Sequence, residues 1–263
     1  MENNFSLENK VVVITGSSGL MGQQYANGLF IAGAKLVLLD KNIKKSKSFL
    51  AKIPKKVRNN HIVIKTDLTS KKSIEKAVSL ILKKYENIDV LINNAAFQEG
   101  RNERCVAFEE LSIDSWNKVL SVNLTGTMMC CQEFGKIMKK QHRGSIINIS
   151  SIYGLVGADQ RIYDQSGLNS SVAYAATKGA IINMTKYMAS YWYNTGIRVN
   201  CLSLGGIENN QDSKFIKKYS EKTMLGRMAR KEEIVGGIIF LASDASSYMT
   251  GSNLIIDGGW TSW

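Results

Sequence analysis

Short runs of apolar, largely β-branched residues alternate along this chain with longer segments whose apolar positions recur every three or four residues. The runs fall at 11–15, 36–40, 61–65, 90–93, 145–150, 198–203 and 253–257, each the length of a single strand. Strands apolar throughout need cover on both faces, which is the condition of a parallel sheet. Between them, 73–85 sets Ile74, Ala77, Val78, Ile81 and Leu82 on one side of a helix. A second helical segment begins at Tyr174 and runs to about Tyr193. The alternation predicts an α/β fold, a Rossmann-type doubly wound parallel sheet with helices on both faces. No internal repeat or low-complexity linker interrupts 1–263, so a single domain is expected. Pro54 is the only proline, which leaves the turns to Gly, Asn and Ser.

Composition changes this picture little. Apolar residues at 44% and charged residues at 21% suit a chain that buries a core. The N-terminus lacks a basic patch followed by an apolar stretch, and no apolar run is long enough to cross a bilayer, so a cytoplasmic protein is expected, with no membrane partner. Cys105, Cys130, Cys131 and Cys201 show no CxxC spacing, and His61 and His142 are the only histidines. Reduced thiols and no metal site follow as expectations. The net charge of +12 is concentrated in 41–84, where fourteen lysine and arginine side chains face two carboxylates. Few aromatics interleave with them beyond Phe49 and nearby Tyr85, so a solvated surface is expected rather than a nucleic-acid site.

The first run passes directly into Thr15-Gly16-Ser17-Ser18-Gly19-Leu20-Met21-Gly22. Glycines at every third position, between a strand and a helix, suit a turn that carries backbone up to a pyrophosphate and directs a helix N-terminus at it. Asp40 ends the next run. A carboxylate there accepts hydrogen bonds from adenosine ribose hydroxyls and repels a 2′-phosphate, favouring NAD over NADP against the pull of Lys41, Lys44 and Lys45. Farther on, Tyr174-Ala175-Ala176-Thr177-Lys178 places a phenol and an ammonium one helical turn apart. A phenol titrates near 10, and a neighbouring cation lowers it toward the range useful for proton transfer.

In this order the chain resembles the short-chain dehydrogenase/reductase family over nearly its whole length. The resemblance rests on the Thr15–Gly22 turn, Asp67-Leu68, Asn93-Asn94-Ala95-Ala96, Asn123, Ser150-Ser151, Tyr174/Lys178, Val199-Asn200-Cys201, Gly205-Gly206-Ile207 and the closing Asp257-Gly258-Gly259-Trp260. It implies an NAD(P)-dependent oxidoreductase acting on CH–OH or C=O groups. Tyr174 is implied as proton donor and acceptor, with Lys178 lowering its pKa and holding the nicotinamide ribose. Ser151 is implied to bind the substrate oxygen, and Asn123 to anchor a relay water. Cofactor contacts are implied for Gly16, Ser18, Met21 and Gly22 of the turn and for Asp40. They are implied also for Asp67 and Leu68 at the adenine, Asn94 at the adenosine ribose and the Ile207 backbone at the carboxamide. Asn93 is read as supporting the sheet and Ser150 as ending its strand. A homotetramer or dimer through the helices bearing Asn123 and Tyr174 is implied as well.

Several positions depart from the family's pattern. The turn is spaced GxxGxxG, Leu204 stands where proline is usual, Ala96 where glycine is common, and 157–170 lengthens the link from Ser151 to Tyr174. That insertion and segment 208–222 are mostly polar, and Asp159, Arg161 and Tyr163 suggest hydrogen bonds to a hydroxylated or charged substrate. A sugar or polyol derivative is therefore expected. The insertion and the Gly-Gly-Trp-Thr-Ser-Trp ending are similar to members of bacterial surface-sugar and flagellin-glycan synthesis. Two alternatives stand beside this reading: a 3-oxoacyl-carrier-protein reductase using NADPH, and a non-catalytic dinucleotide-binding or nucleic-acid-associated protein.

Overall fold

The computed structural model describes residues 3–100, 105–166 and 168–263. Seven strands, β1 Val11–Thr15, β2 Lys35–Asp40, β3 Ile62–Lys65, β4 Val90–Asn93, β5 Gly144–Ser151, β6 Ile197–Leu204 and β7 Asn253–Ile256, form one sheet. Their spatial order is β3-β2-β1-β4-β5-β6-β7, and every pairing is parallel. Nine helices follow in chain order among the described residues. They are α1 Leu20–Ile31, α2 Lys44–Lys52, α3 Lys55–Arg58, α4 Lys71–Tyr85, α5 Ile113–Leu120, α6 Thr127–Gln141, α7 Val172–Tyr191, α8 Ser213–Ser220 and α9 Val235–Ala242. None is long and apolar enough to cross a membrane.

The expected strands are all present, most within a residue of the expected limits. β6 and β5 run farther than expected because Leu204, unlike a proline, sits in the ladder between Ser151 and Ile256 while its side chain enters the core. The second long helix ends at Tyr191, two residues early.

Alternation along the strands divides the core in two. Val11, Val13, Val37, Leu39, Leu91, Ile146 and Val199 face one side, where α4, α6 and α7 supply Ile74, Ile81, Phe134 and Met188. Val12, Ile14, Leu36, Leu38, Ile92, Ile147 and Leu202 face the other, packed by Tyr25 and Leu29 of α1 and Ile238 and Leu241 of α9. The central strands β1, β2, β4, β5 and β6 are thus covered on both faces, as their apolar runs require, while the edge strands β3 and β7 are only partly buried. The lysines of α2, α3 and α4 point outward and are exposed.

One polar line crosses this core. Asn93 Nδ2 donates to Asn148 Oδ1 at 2.9 Å, and Asn148 Nδ2 donates to Thr185 Oγ1 at 2.9 Å. All three are buried, so the line ties β4 to β5 and β5 to α7. Asn93 therefore supports the sheet, as expected. Asn148→Ala breaks both bonds, leaving Asn93 Nδ2 the Cys131 sulfur and the Thr185 hydroxyl the Ile181 carbonyl, and is expected to cost about 1–3 kcal/mol. Urea denaturation measures it, and a loss below ~1 kcal/mol contradicts the assignment.

Candidate active site

Strand order reverses between β1 and β4, and the carboxyl ends of the strands there open into the crevice where this topology places ligands. The glycine turn occupies one side. Gly16 has φ +65°, and a Cβ on it would lie 2.6 Å from the Ala95 Cα, so only glycine fits. A Cβ on Gly22 would collide with the Gly16 carbonyl. Gly19, the N-cap of α1, offers no side-chain cap, and no carboxylate lies in the first turn. The first amides of α1, those of Leu20, Met21 and Gly22, are therefore left for an anion from outside the helix. A bare cradle of amides fits a pyrophosphate, so the residues present suit a dinucleotide.

The remaining expected cofactor residues surround this cradle. Asp40 accepts from the Ser18 amide at 2.9 Å and from the Asn42 amide at 2.8 Å, which turns its carboxylate toward the turn. Ser46, which sequence reasoning passed over, is buried with its hydroxyl 2.8 Å from those of Ser17 and Ser18, pinning α2 to the turn. Asp67 is held below its ordinary pKa by hydrogen bonds from Thr69, then by Lys41, whose Nζ lies 3.1 Å away. Lys41 is thus paired, while Lys44 and Lys45 remain exposed. Leu68 is half-buried against Gly126. Asn94 donates its side-chain amide to the Thr15 and Gly16 carbonyls at 2.9 and 3.1 Å, clamping the start of the turn. Ile207 lies on the far side, in a bridge with Ala229.

The expected catalytic residues meet at the end of β5. Ser151 is its last residue, and Ser171 caps α7 by accepting from the Tyr174 amide at 3.1 Å, which fixes Tyr174 in the first turn. Ser150 donates to the Lys178 carbonyl at 2.8 Å, and a Cβ on Gly154 would lie 2.7 Å from that carbonyl's atoms. The chain leaving β5 therefore lies directly on α7. Asn123 sits in a stretch of π-helix, Ser121–Gly126, between α5 and α6. Its buried side chain clasps the Phe97 backbone, accepting from N at 2.6 Å and donating to O at 3.2 Å. That stretch thereby anchors the loop leaving β4.

Burial raises the Tyr174 phenol above its ordinary pKa, opposed by a hydrogen bond with Ser151. Lys178, expected to lower it, has its Nζ 5.3 Å from the centre of the Tyr174 ring and donates to the Ile149 carbonyl at 2.7 Å. Burial also brings Lys178 itself down to about 8, which weakens it as a fixed positive charge.

The substrate side differs more from expectation. Ser151 and Tyr174 line a cavity of about 500 Å³ with Gln98, Glu99, Ser170, Ser171, Asn209 and Gln211. Tyr153, Tyr163, Phe215 and Tyr219 form its aromatic wall. Asp159 and Arg161 are absent from it. Arg161 is paired to Asp159 at 2.8 Å, and Lys222 reaches Asp159 at 2.7 Å, which holds that carboxyl far below its ordinary range. The expected polar character of 157–170 and 208–222 is likewise only partial. Ile162 and Tyr163 of the first pack on Phe215, Ile216 and Tyr219 of the second, and Trp260 stacks on Tyr219 at 4.3 Å. Gly167 of the insertion lies outside the described residues. Sequence reasoning missed Gln98 and Glu99, although their place just past the β4 motif was the available signal. A larger hollow, about 740 Å³, lies at the opposite ends of the strands and touches none of these groups.

The family model described as enoyl-(acyl carrier protein) reductase matches residues 16–261. This chain is a member of the short-chain dehydrogenase/reductase family. It is 32% identical to post-translational flagellin modification protein A of Campylobacter coli, over 97% of this chain and 99% of that protein. It is 30% identical to D-threitol dehydrogenase of Mycolicibacterium smegmatis (98% and 95%) and 32% identical to the 3-oxoacyl-[acyl-carrier-protein] reductase FabG of Aquifex aeolicus (96% and 98%). Among solved structures, a short chain dehydrogenase from Leptospira borgpetersenii with bound NAD+ superposes with TM-score 0.87 at 38% identity, covering 99% and 96% of the two chains. A gluconate 5-dehydrogenase from Burkholderia cenocepacia in complex with NADP and tartrate gives TM-score 0.85 at 30% identity (99% and 98%). The protein is thus an oxidoreductase that uses a nicotinamide dinucleotide.

The buried lysine of this short-chain dehydrogenase/reductase carries a signature in stability. Its folded pKa, about 8, lies below the unfolded value near 10.5, so the folded state holds fewer protons between those limits. Its contribution is therefore unfavourable below pH 8, becomes less so as pH rises to about 10.5, and is fully relieved above that. Wild-type unfolding free energy measured against Lys178→Met should rise across that window and stay level below it. A flat difference from pH 7 to 10.5 removes the assignment.

Proposed function

We propose that this enzyme interconverts a secondary alcohol and a ketone on a small hydroxyl-rich substrate, a sugar or polyol derivative, with NAD as its dinucleotide. The observation that carries the reading is the union, in one cavity, of Ser151 and Tyr174 with a ring of hydrogen-bonding side chains, Gln98, Glu99, Asn209 and Gln211 among them. Bound at the amide cradle, the dinucleotide supplies or accepts the hydride. The protein's part is the proton. Tyr174 gives one to the carbonyl oxygen in reduction and takes one from the hydroxyl in oxidation, while Ser151 donates a hydrogen bond to the same oxygen. Lys178 holds the nicotinamide ribose and replenishes Tyr174, with a water anchored at Asn123 leading outward. The phenols of Tyr153 and Tyr219 are raised by burial, so both stay protonated and able to donate to substrate oxygens.

Two relatives support this choice by name, since one is a D-threitol dehydrogenase and another a gluconate 5-dehydrogenase. Asp40 supports NAD, because its carboxylate beside the turn would repel a 2′-phosphate. The 3-oxoacyl-carrier-protein reductase reading draws on the FabG relative and on the basic surface. Against it stand Asp40 and the polar lining of the cavity.

Tyr174→Phe is expected to lower kcat for keto-sugar reduction by about 10²–10⁴-fold. Ser151→Ala should lower it by about 10²–10³-fold, the scale of a lost oxyanion donor. Calorimetric NAD affinity should survive both changes. Undiminished turnover in Tyr174→Phe ends the mechanism, and turnover of hydrophobic ketones but no polyol or keto-sugar ends the substrate class. Asp40→Ala should move the NADP/NAD ratio of kcat/KM toward NADP, and an unmoved ratio argues against Asp40 as its determinant.

A further inference from the structure

Among the described residues, four charged side chains are largely buried: Asp89, Glu99, Glu133 and Lys178. Three are satisfied. Asp89 accepts from the Val11 amide and from Asn87, Glu133 is paired with Lys136 at 2.8 Å, and Lys178 donates to Ile149. Glu99 is 6% exposed, and no hydrogen bond or ion pair from the described residues engages its carboxylate. No described side chain supplies a donor to this largely buried carboxylate, so the donors that stabilise it come from the open space it lines.

Its location indicates the source of that donor. Glu99 lines the cavity of Ser151 and Tyr174, and with Ser170 and Ser171 it also lines an adjoining chamber of about 490 Å³. The only charged groups among the described residues lining either space are Glu99 and Glu109, both acidic, in a protein whose net charge is +12. The rest of the outer chamber is formed largely by uncharged groups such as Val106, Phe108 and Leu111. An anionic substrate would meet two carboxylates there and no described cation.

We infer that Glu99 is a specificity-determining residue that binds hydrogen-bond donors, an amine or a pair of hydroxyls, on the part of the substrate remote from the reacting carbon, and excludes a carboxylate there. The inference rests on the proposed reading of this cavity as the substrate site. An ammonium gains Coulomb attraction as well as hydrogen bonds, and a vicinal diol gains two hydrogen bonds to the two carboxylate oxygens.

Three probes of equal chain length separate these sources: a neutral ketose, an amino-ketose with a terminal ammonium, and a keto-aldonate with a terminal carboxylate. Each is tested for turnover, and for calorimetric binding to the NAD-loaded protein, with wild type, Glu99→Gln and Glu99→Ala. NAD affinity and melting temperature report folding. Wild type should favour the ketose and the amino-ketose over the aldonate. Glu99→Gln should lose about 10–100-fold on the amino-ketose, the scale of a hydrogen bond to a charged group. It should lose less on the ketose and gain on the aldonate. A larger loss on the amino-ketose identifies an amine, and an equal loss on both neutral and cationic probes identifies hydroxyls. If in the folded variants the aldonate gains nothing relative to the other two probes, in turnover and in binding, or if wild type prefers the aldonate, the inference is overturned. Failure of the parent reading is distinct: wild type then neither binds nor turns over any of the three while reducing hydrophobic ketones, and Glu99 loses its assigned role with it.

Discussion

The seam between the end of β5 and the first turns of α7 is the contact on which the site depends. Lys178 is held from below by its own ammonium on the Ile149 carbonyl and from the side by Ser150 on its backbone oxygen. The close approach at Gly154 leaves no room for a side chain between the two elements. Because Ser171 caps α7 on the Tyr174 amide, the phenol leaves the helix at a fixed angle one turn before the lysine. Ser151, at the strand's end, then shares a surface with a residue twenty-three positions away across a variable loop. The insertion at 157–170 can lengthen that loop without moving Ser151 or Tyr174, since the seam does not pass through it.

The same logic holds on the dinucleotide side. The glycine turn is shaped by steric exclusion, with Gly16 against Ala95 and Gly22 against Gly16. It is steadied by Asn94, whose amide spans the Thr15 and Gly16 carbonyls. An α1 N-terminus left without a cap is a local weakness for a helix and an asset for anion binding. The Asn93–Asn148–Thr185 line fixes β4, β5 and α7 relative to one another beneath both halves of the site. The glycine turn and the Ser151/Tyr174 pair are thus parts of one rigid frame.

The wall of the cavity belongs to a different layer. Tyr163, Phe215, Tyr219, Trp260 and Met228 form a satellite cluster of their own, apart from the two main cores. The insertion and the segment around α8 meet there, and the Asp159–Lys222 ion pair joins them again at the surface. Residues that looked available for substrate, Asp159 and Arg161, are spent on that fastening. The cavity takes its polarity from elsewhere: Gln98 and Glu99 past β4, Asn209 and Gln211 past β6, and tyrosine hydroxyls that burial keeps protonated.

Local pattern alone was enough to locate all seven strands, the glycine turn and the Tyr174/Lys178 pair, because each is governed by period, sterics or i,i+4 spacing within a few residues. The apolar strands could satisfy both faces only in a covered parallel sheet, so even the layer arrangement was legible. Tertiary structure alone decided the ionisation of the site and the lining of its cavity. Where the Lys178 ammonium sits beside the Tyr174 phenol depends on which oxygen it reaches, and that oxygen belongs to Ile149, twenty-nine residues away. Whether Asp159 or Glu99 opens on the cavity depends on where each packs and which cations reach it. Asp159 finds Arg161 and Lys222, and Glu99 finds none among the described residues. Charge pairing and burial act through space between distant segments, and no periodicity along the chain records them.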